Sequence, residues 1–264
     1  MSAPRRTGGL FHPDRTTVPL GTWLKMGAVE PVEIMAFAGY DFVVVDMEHA
    51  PLDLQSAYRI IGSAAALGLV PIVRVPDKNP STIQKILDAG AEGVLVPHVD
   101  TVEEAEAVGR ACRFPPHGTR GAGGTSKAGL WGLRPTEEYL AQGNDRVLCI
   151  PQLESVQAVG AARDILSLDG VDAVLVGAAD LSLSMGATPT SPEVLELVGR
   201  AVSAAHAAGK KCGLAFGAAP DRAVQAVRAG CDFVVLHNDL SLLADAASSL
   251  VRAFRATESD SARN

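Results

Sequence analysis

Eight short apolar runs, separated by stretches of helical pattern, limit what this chain can fold into more than any other feature. They lie near Pro19–Trp23, Phe42–Asp46, Val70–Val75, Gly93–Pro97, Val147–Gln152, Ala173–Gly177, Cys212–Phe216 and Phe233–Leu236. Near-continuous apolar runs of this length read as parallel strands covered on both faces. Helical pattern fills most gaps, over Val29–Ala38, Leu54–Leu67, Pro80–Ala89, Val102–Cys112, Val156–Ser167, Pro192–Ala208, Arg222–Ala229 and Leu240–Ala256. Ala89-Gly90 and Ala229-Gly230 set a glycine between a helix and the next strand, as a left-handed C-terminal turn requires. Eight strands alternating with eight helices in 264 residues predict a single-domain α/β fold, the closed (β/α)8 TIM barrel. The alternative, an open doubly wound sheet, usually carries a glycine-rich loop after its first strand, and there is none. Residues 16–256 are assigned to the barrel, 1–15 to a flexible N-terminal segment and 257–264 to a disordered tail.

Composition narrows the partners. With 47% hydrophobic but only 5% aromatic residues, the chain suits tightly packed helices on a parallel sheet. The net charge of -7 and the lack of a basic block argue against nucleic acid. No run approaches a membrane span, and no secretory signal follows the early charges, so a cytoplasmic protein is expected. The four cysteines, Cys112, Cys149, Cys212 and Cys231, form no CxxC pair and read as small buried hydrophobes kept reduced.

In a barrel of this type, chemistry belongs at the C-terminal ends of the strands. The second run ends in Asp46-Met47-Glu48-His49-Ala50-Pro51, where two carboxylates can orient and tune a histidine as a general base. The third carries Arg74 among β-branched residues. A buried guanidinium there needs an anion: a structural partner in Asp46 or Glu48, a bound oxyanion, or both. The fifth and sixth end in Gln152-Leu153-Glu154 and Gly177-Ala178-Ala179-Asp180-Leu181-Ser182. Glu154 and Asp180 thus share one rim and make a hard-cation site with room for water, unless they only cap the following helices. No zinc spacing, GxSxG elbow or P-loop is present. The lysines offer a poorer route: Lys210 and Lys211 precede a strand, Lys85 lies on a helix, and only Lys25 and Lys78 fall just past strand ends. The segment from Arg113 to Asp145, dense in proline and glycine at its start, is expected to be a shaped active-site loop on the catalytic face. His12, His98, His206 and His237 are expected at surface or structural positions.

These motifs, in this order, resemble the HpcH/HpaI family of metal-dependent class II pyruvate aldolases. The resemblance runs from about Pro19 to Ala253 and includes Gly21-Thr22-Trp23-Leu24, Val73-Arg74 and Arg113-Phe114-Pro115-Pro116-His117-Gly118-Thr119-Arg120-Gly121. It implies a barrel whose last helix packs across a subunit boundary in a homohexamer built from dimers. It also implies a divalent ion, Mg²⁺, Mn²⁺ or Co²⁺, at Glu154 and Asp180. Arg74 matches the arginine that steadies an enolate oxygen, and His49, paired with Asp46, matches the base. Trp23, Gln152 and Ala179 join Arg74 around a 2-oxo acid, with an aldehyde as the second small-molecule partner. The implied reaction is reversible cleavage of a 4-hydroxy-2-oxo acid into an oxo-acid enolate and an aldehyde. Ala178 and Pro151 depart from the usual pattern beside the oxo-acid site. His117 and the segment through Gly123-Gly124 to Trp131 are expected to shape the aldehyde side. Two other lyase readings use the same residues, an oxaloacetate decarboxylase and a CoA-thioester lyase of the citrate lyase type. A reading of another class is a catalytically idle barrel kept for binding or assembly.

Overall fold

Strands β1 (Leu20–Leu24), β2 (Phe42–Asp46), β3 (Val70–Arg74), β4 (Gly93–Val96), β5 (Leu148–Leu153), β6 (Ala173–Val176), β7 (Lys211–Phe216) and β8 (Phe233–Asn238) pair parallel in chain order. Strand β8 closes on β1, completing the barrel in this computed structural model. The structure describes residues 9–12 and 15–261. The helices are α1 (Glu30–Ala38), α2 (Leu54–Ala66), α3 (Pro80–Asp88), α4 (Val102–Cys112), α5 (Thr136–Asp145), α6 (Val156–Gly160), α7 (Ala162–Ser167), α8 (Ala178–Ser184), α9 (Pro192–Ala207), α10 (Pro220–Arg228) and α11 (Asp239–Ser261). Asp53, Asn79, Thr101 and Ser155 cap α2, α3, α4 and α6, each accepting a backbone N–H of the first turn. Gly90 and Gly230 adopt the left-handed turn that their positions predict.

Strand periodicity sorts the side chains into two cores. Val43, Val45, Val73 and Val94 face the helices. Phe42, Val44, Ile72, Leu95, Ile150, Leu175, Phe233 and Val235 fill the barrel's interior. The same period carries Asp46, Arg74 and Gln152 inward at the C-terminal end, so an apolar lumen ends in a polar mouth. The lower lumen is crowded. A β-carbon on Gly21 would lie 2.3 Å from the Phe42 ring, and one on Gly213 equally close to the Phe233 ring. Within the segment expected to be flexible, Leu10 is buried below the barrel and the Phe11 ring lies 5.3 Å from that of Phe233. Two aromatic rings at the floor thus recruit the chain ahead of β1 as a plug.

The structure corrects several expectations. The helix expected over Val156–Ser167 is two helices meeting at Ala161. Helices α5 and α8 were not expected; α8 is too short to show a helical period. Helix α11 runs on to Ser261, through residues assigned to the tail. The segment Arg113–Asp145 follows α4 and leads to the start of β5, so it belongs to the rim opposite the strand C-termini. Arg113 pairs with Asp172 ahead of β6, and Arg120 with Asp88 ahead of β4. This loop, with His117, Gly123-Gly124 and Trp131, therefore does not shape the mouth of its own barrel. All four cysteines are buried and unbridged. Among the described residues no helix is long and apolar enough to cross a membrane.

Gly213→Ala must displace the Phe233 ring. We expect a loss of about 1–3 kcal/mol, the usual cost of overpacking. In urea the unfolding midpoint falls while the slope stays unchanged.

Candidate active site

The mouth is built on a buried guanidinium. Strand register sets Asp46 of β2 directly beside Arg74 of β3. Arg74 Nε donates to Asp46 Oδ1 at 3.0 Å, and Nη2 to Oδ2 at 2.8 Å. Its remaining edge, Nη1, lies 3.0 Å from Glu48 Oε2, in ionic contact without hydrogen-bond alignment. The Trp23 ring stacks on the guanidinium with its centroid 4.2 Å away. Both sequence-based options for an internal partner, Asp46 and Glu48, are therefore realised together.

Asp46 organises more than Arg74. Lys25 Nζ lies 2.7 Å from its Oδ2, and the backbone N–H groups of Glu48 and His49 donate to Oδ1 at 3.2 and 3.1 Å. Burial alone would raise the Asp46 pKa, but hydrogen bonding and charge from Arg74, then Lys25 and the His49 N–H, hold it at about 2. The expected pairing of His49 with Asp46 is thus made by the backbone. Arg74 and Lys25 fill the carboxylate, and the His49 imidazole stands 59% exposed with Nε2 3.6 Å from Glu48 Oε2.

Glu154, just past β5, occupies the other side. Gln152 Nε2 donates to its Oε1, and the His98 backbone N–H to its Oε2 at 3.2 Å. The His98 ring bridges two carboxylates, with Nδ1 3.1 Å from Glu154 Oε2 and Nε2 3.1 Å from Glu48 Oε1. Burial pushes the Glu154 pKa up to about 7; His98 works against this, while the charges of Asp180 and Glu48 add to it. Asp180 lies in the first turn of α8, one residue after the exposed Ala179. Neither acidic residue is a helix cap: Ser155 caps α6, and Gly177 precedes α8 without a side-chain cap.

These residues fit a divalent cation. Glu154 is a buried carboxylate short of positive charge. Gln152 Oε1 is buried with no hydrogen-bond partner, an oxygen ready for a ligand or water. Gly177 leaves the space open: a β-carbon there would lie 2.8 Å from Glu154 Cγ and 3.0 Å from Oε1. Among the described residues no three His, Cys, Asp or Glu side chains converge as a metal cluster. The available donors are the two carboxylates and the amide oxygen, hard oxygens of the kind Mg²⁺ and Mn²⁺ prefer.

Glu48, a partner of Arg74 and His49 on the sequence reading, meets both and His98 besides. Three further residues of the mouth make contacts that the sequence does not announce. Lys25 counters Asp46, and buried Asp239 accepts the Lys25 and Met26 N–H groups at 3.0 and 2.9 Å, anchoring the turn after β1. His98, expected at a surface or structural position, lies between the two halves of the site. The strand-end rule applied to Val96-Pro97-His98 would have found it. His206 and His237 instead pair with Asp232 and Asp245.

Protons and a metal ion compete for a carboxylate with a raised pKa. Mn²⁺ affinity, followed by electron paramagnetic resonance, should therefore weaken about tenfold per pH unit below pH 7 and level off above it. A flat profile between pH 5.5 and 7 would remove Glu154 from the ligand set.

Residues 20–246 match the HpcH/HpaI aldolase/citrate lyase family. The chain is 36% identical over 241 residues to a 2-keto-3-deoxy-L-rhamnonate aldolase of Escherichia coli (strain K12), covering 90% of this chain and 89% of that one. An HpcH/HpaI aldolase/citrate lyase family protein from Burkholderia cenocepacia J2315 superposes with a TM-score of 0.84 at 34% identity, covering 92% of this chain and 96% of that one. An HpcH/HpaI aldolase from Desulfitobacterium hafniense DCB-2 gives 0.85 at 30% identity, covering 90% and 93%.

Proposed function

The chain belongs to the HpcH/HpaI aldolase/citrate lyase family, and from that premise we propose that it is a carbon–carbon lyase acting on 4-hydroxy-2-oxo acids. One observation carries the reading: a buried guanidinium, clamped from behind by Asp46 and Glu48, faces the same mouth as a buried carboxylate short of positive charge. That arrangement suits a substrate whose carboxylate and neighbouring keto oxygen need positive charge, with charge developing on the keto oxygen.

The residues then divide the work. Trp23 and Gln152 flank the 2-oxo acid, and the Ala179 backbone lies at the same rim. Arg74, held rigid by two carboxylates and a ring, presents its charge to the C2 oxygen as the enolate forms. A divalent ion at Glu154 and Asp180 would supply further charge to the carboxylate and keto oxygens of the oxo acid. The exposed His49 imidazole is the base. It takes the proton of the 4-hydroxyl, the C3–C4 bond breaks, an aldehyde leaves, and the electron pair passes through C3 to the C2 oxygen. Protonation at C3 completes the cleavage, and the synthetic direction reverses each step. Asp46 fixes His49 through its backbone and leaves the ring free to exchange protons.

Exchange of pyruvate methyl protons in D₂O, followed by NMR, tests this reading. We expect exchange with Mg²⁺ or Mn²⁺ and none after EDTA. His49→Ala should lower cleavage by about 10²–10⁴-fold, the usual contribution of a general base, while Mn²⁺ binding persists. Folded protein that shows no exchange with any divalent metal would overturn the oxo-acid enolate reading.

We also assign the chain to a homo-oligomer, a homohexamer on the family pattern. Leu243, Leu250, Val251 and Phe254 stand exposed on α11, as do Ile34 and Phe37 on α1 and Trp131 and Leu133 in the loop after α4. Exposed apolar surface on this scale marks an interface. A second copy of the chain is the partner, with α11 crossing the boundary. Light scattering should show that Phe254→Asp lowers the molar mass with unchanged circular dichroism; an unchanged mass would exclude α11 from the interface. The unbridged thiols suit a reducing compartment and support a cytoplasmic location.

A further inference from the structure

Arg74 and the two carboxylates that hold it do not balance in charge. Asp46 and Glu48 both lie within 3.0 Å of the one guanidinium, and none of the three side chains is more than 10% exposed. Two anions against one cation leave this corner of the mouth net negative, with little water to screen it. His49 and His98, both against Glu48, add positive charge only when protonated. An oxygen gaining negative charge beside Arg74 would be repelled by the same carboxylates that hold the arginine in place.

Lys25 redresses that balance. It follows β1, two residues beyond Trp23, whose ring covers Arg74. Its backbone N–H donates to both oxygens of buried Asp239, at 3.0 and 3.1 Å. Its Nζ lies 2.7 Å from Asp46 Oδ2 and donates to the His49 carbonyl at 3.5 Å. Fixing both ends of a four-carbon stem costs rotamer entropy that a solvated lysine keeps.

We propose that Lys25 is a positioning residue of the aldolase reaction: by neutralising Asp46 it leaves the charge of Arg74 free to act on the C2 oxygen. This rests on the enolate reading above and adds to it the group that makes the arginine effective. Lys25 touches no reacting atom. It acts through Asp46, whose Oδ2 meets Arg74 Nη2 on one side and Lys25 Nζ on the other. The keto oxygen of a bound oxo acid carries only partial charge, whereas the enolate oxygen carries most of a full one. Lys25 therefore contributes more to the transition state than to substrate binding, and its loss falls on kcat rather than on KM. Its contact with the His49 carbonyl offers a second route, through the turn that presents the base.

Oxaloacetate separates the two routes. Its decarboxylation breaks the C3–C4 bond, releases carbon dioxide and passes the electron pair through C3 to the C2 oxygen. It forms the same enolate without a base. With Mn²⁺ present, and corrected for the rate with Mn²⁺ alone, kcat and KM are measured for this decarboxylation and for pyruvate methyl-proton exchange. We expect Lys25→Met to lower kcat for both reactions about tenfold, the order of one unit charge acting across a partly screened site. KM should change little, and Lys25→Arg should recover most of the loss. Loss confined to proton exchange would overturn the proposal and limit Lys25 to the His49 turn. Equal losses in Lys25→Met and Lys25→Arg would also overturn it, as would unchanged kcat. Should Lys25→Met fail to fold, Lys25→Cys is compared before and after alkylation with 2-bromoethylamine, which rebuilds an ammonium on a thioether stem while the four native thiols stay buried. No recovery of decarboxylation would overturn the proposal. Failure of the underlying reading is seen separately: the wild type would then form no enolate from either substrate.

Discussion

A guanidinium placed at the top of a barrel core is expensive to desolvate, and the arrangement of this site follows from how that cost is met. Arg74 meets two carboxylates and an aromatic face: Nε and Nη2 donate to Asp46, Nη1 lies in ionic contact with Glu48, and Trp23 covers the flat surface. Asp46 cannot serve Arg74 alone, because its own burial needs a second cation, which Lys25 supplies. Asp46 also accepts two backbone N–H groups from the turn that follows β2. One carboxylate therefore neutralises the arginine and shapes the turn that presents His49. On this side of the mouth, Arg74 and Lys25 balance Asp46 and Glu48. On the other side Glu154, among the described residues, pairs only with His98 and the Gln152 amide, and burial raises its proton affinity. The polarity of the site, rich in fixed cations at β1–β3 and poor in them at β5–β6, is a property of the protein itself.

That polarity is possible because the two ends of the barrel are built differently. The lower lumen is filled by Phe42 and Phe233, admitted by Gly21 and Gly213 and sealed by Leu10 and Phe11. Stability is concentrated where no chemistry happens. The upper layer can then carry charged groups at the strand ends without breaching the core, which is the division of labour that makes this barrel a scaffold for catalysis.

Most of the fold was legible because period and punctuation agree. Strand β2 was read to its exact ends, and the other strands to within two residues, because β-branched runs stop at Asp, Arg, Pro or Gly. The rim positions of Asp46, Arg74 and Glu154 were legible for the same reason, since a polar side chain at or just past the C-terminal end of a buried strand reaches the rim, whereas Gln152 was marked by the family resemblance. The reading failed where direction mattered. A long loop rich in glycine looks functional, but in a parallel barrel only loops that follow strands reach the catalytic rim, and Arg113–Asp145 follows a helix. It failed again where partners are decided in space. Sequence proximity coupled the His49 ring to Asp46, but Arg74 and Lys25 reach that carboxylate first from neighbouring strands. His98 lies just past β4, where the strand-end rule points, but its meaning comes from two carboxylates, Glu48 and Glu154, that follow other strands.

Backbone strain points to the same division between rims. Four described residues other than glycine have positive φ: His98, Leu130, Trp131 and His237. Leu130 and Trp131 lie together in an exposed apolar turn. His98 follows β4 and His237 lies in the last two residues of β8, both at the catalytic rim, and each is tied down by groups from elsewhere. The His237 carbonyl accepts the Thr22 hydroxyl of β1, and its ring pairs with Asp245 of α11. Asp239, two residues on, holds the turn after β1 that carries Lys25. The long C-terminal helix is thus connected to the cation that balances Asp46. If α11 is clasped by a second copy of the chain, assembly and the charge balance of the mouth share one short stretch of backbone, His237 to Asp239.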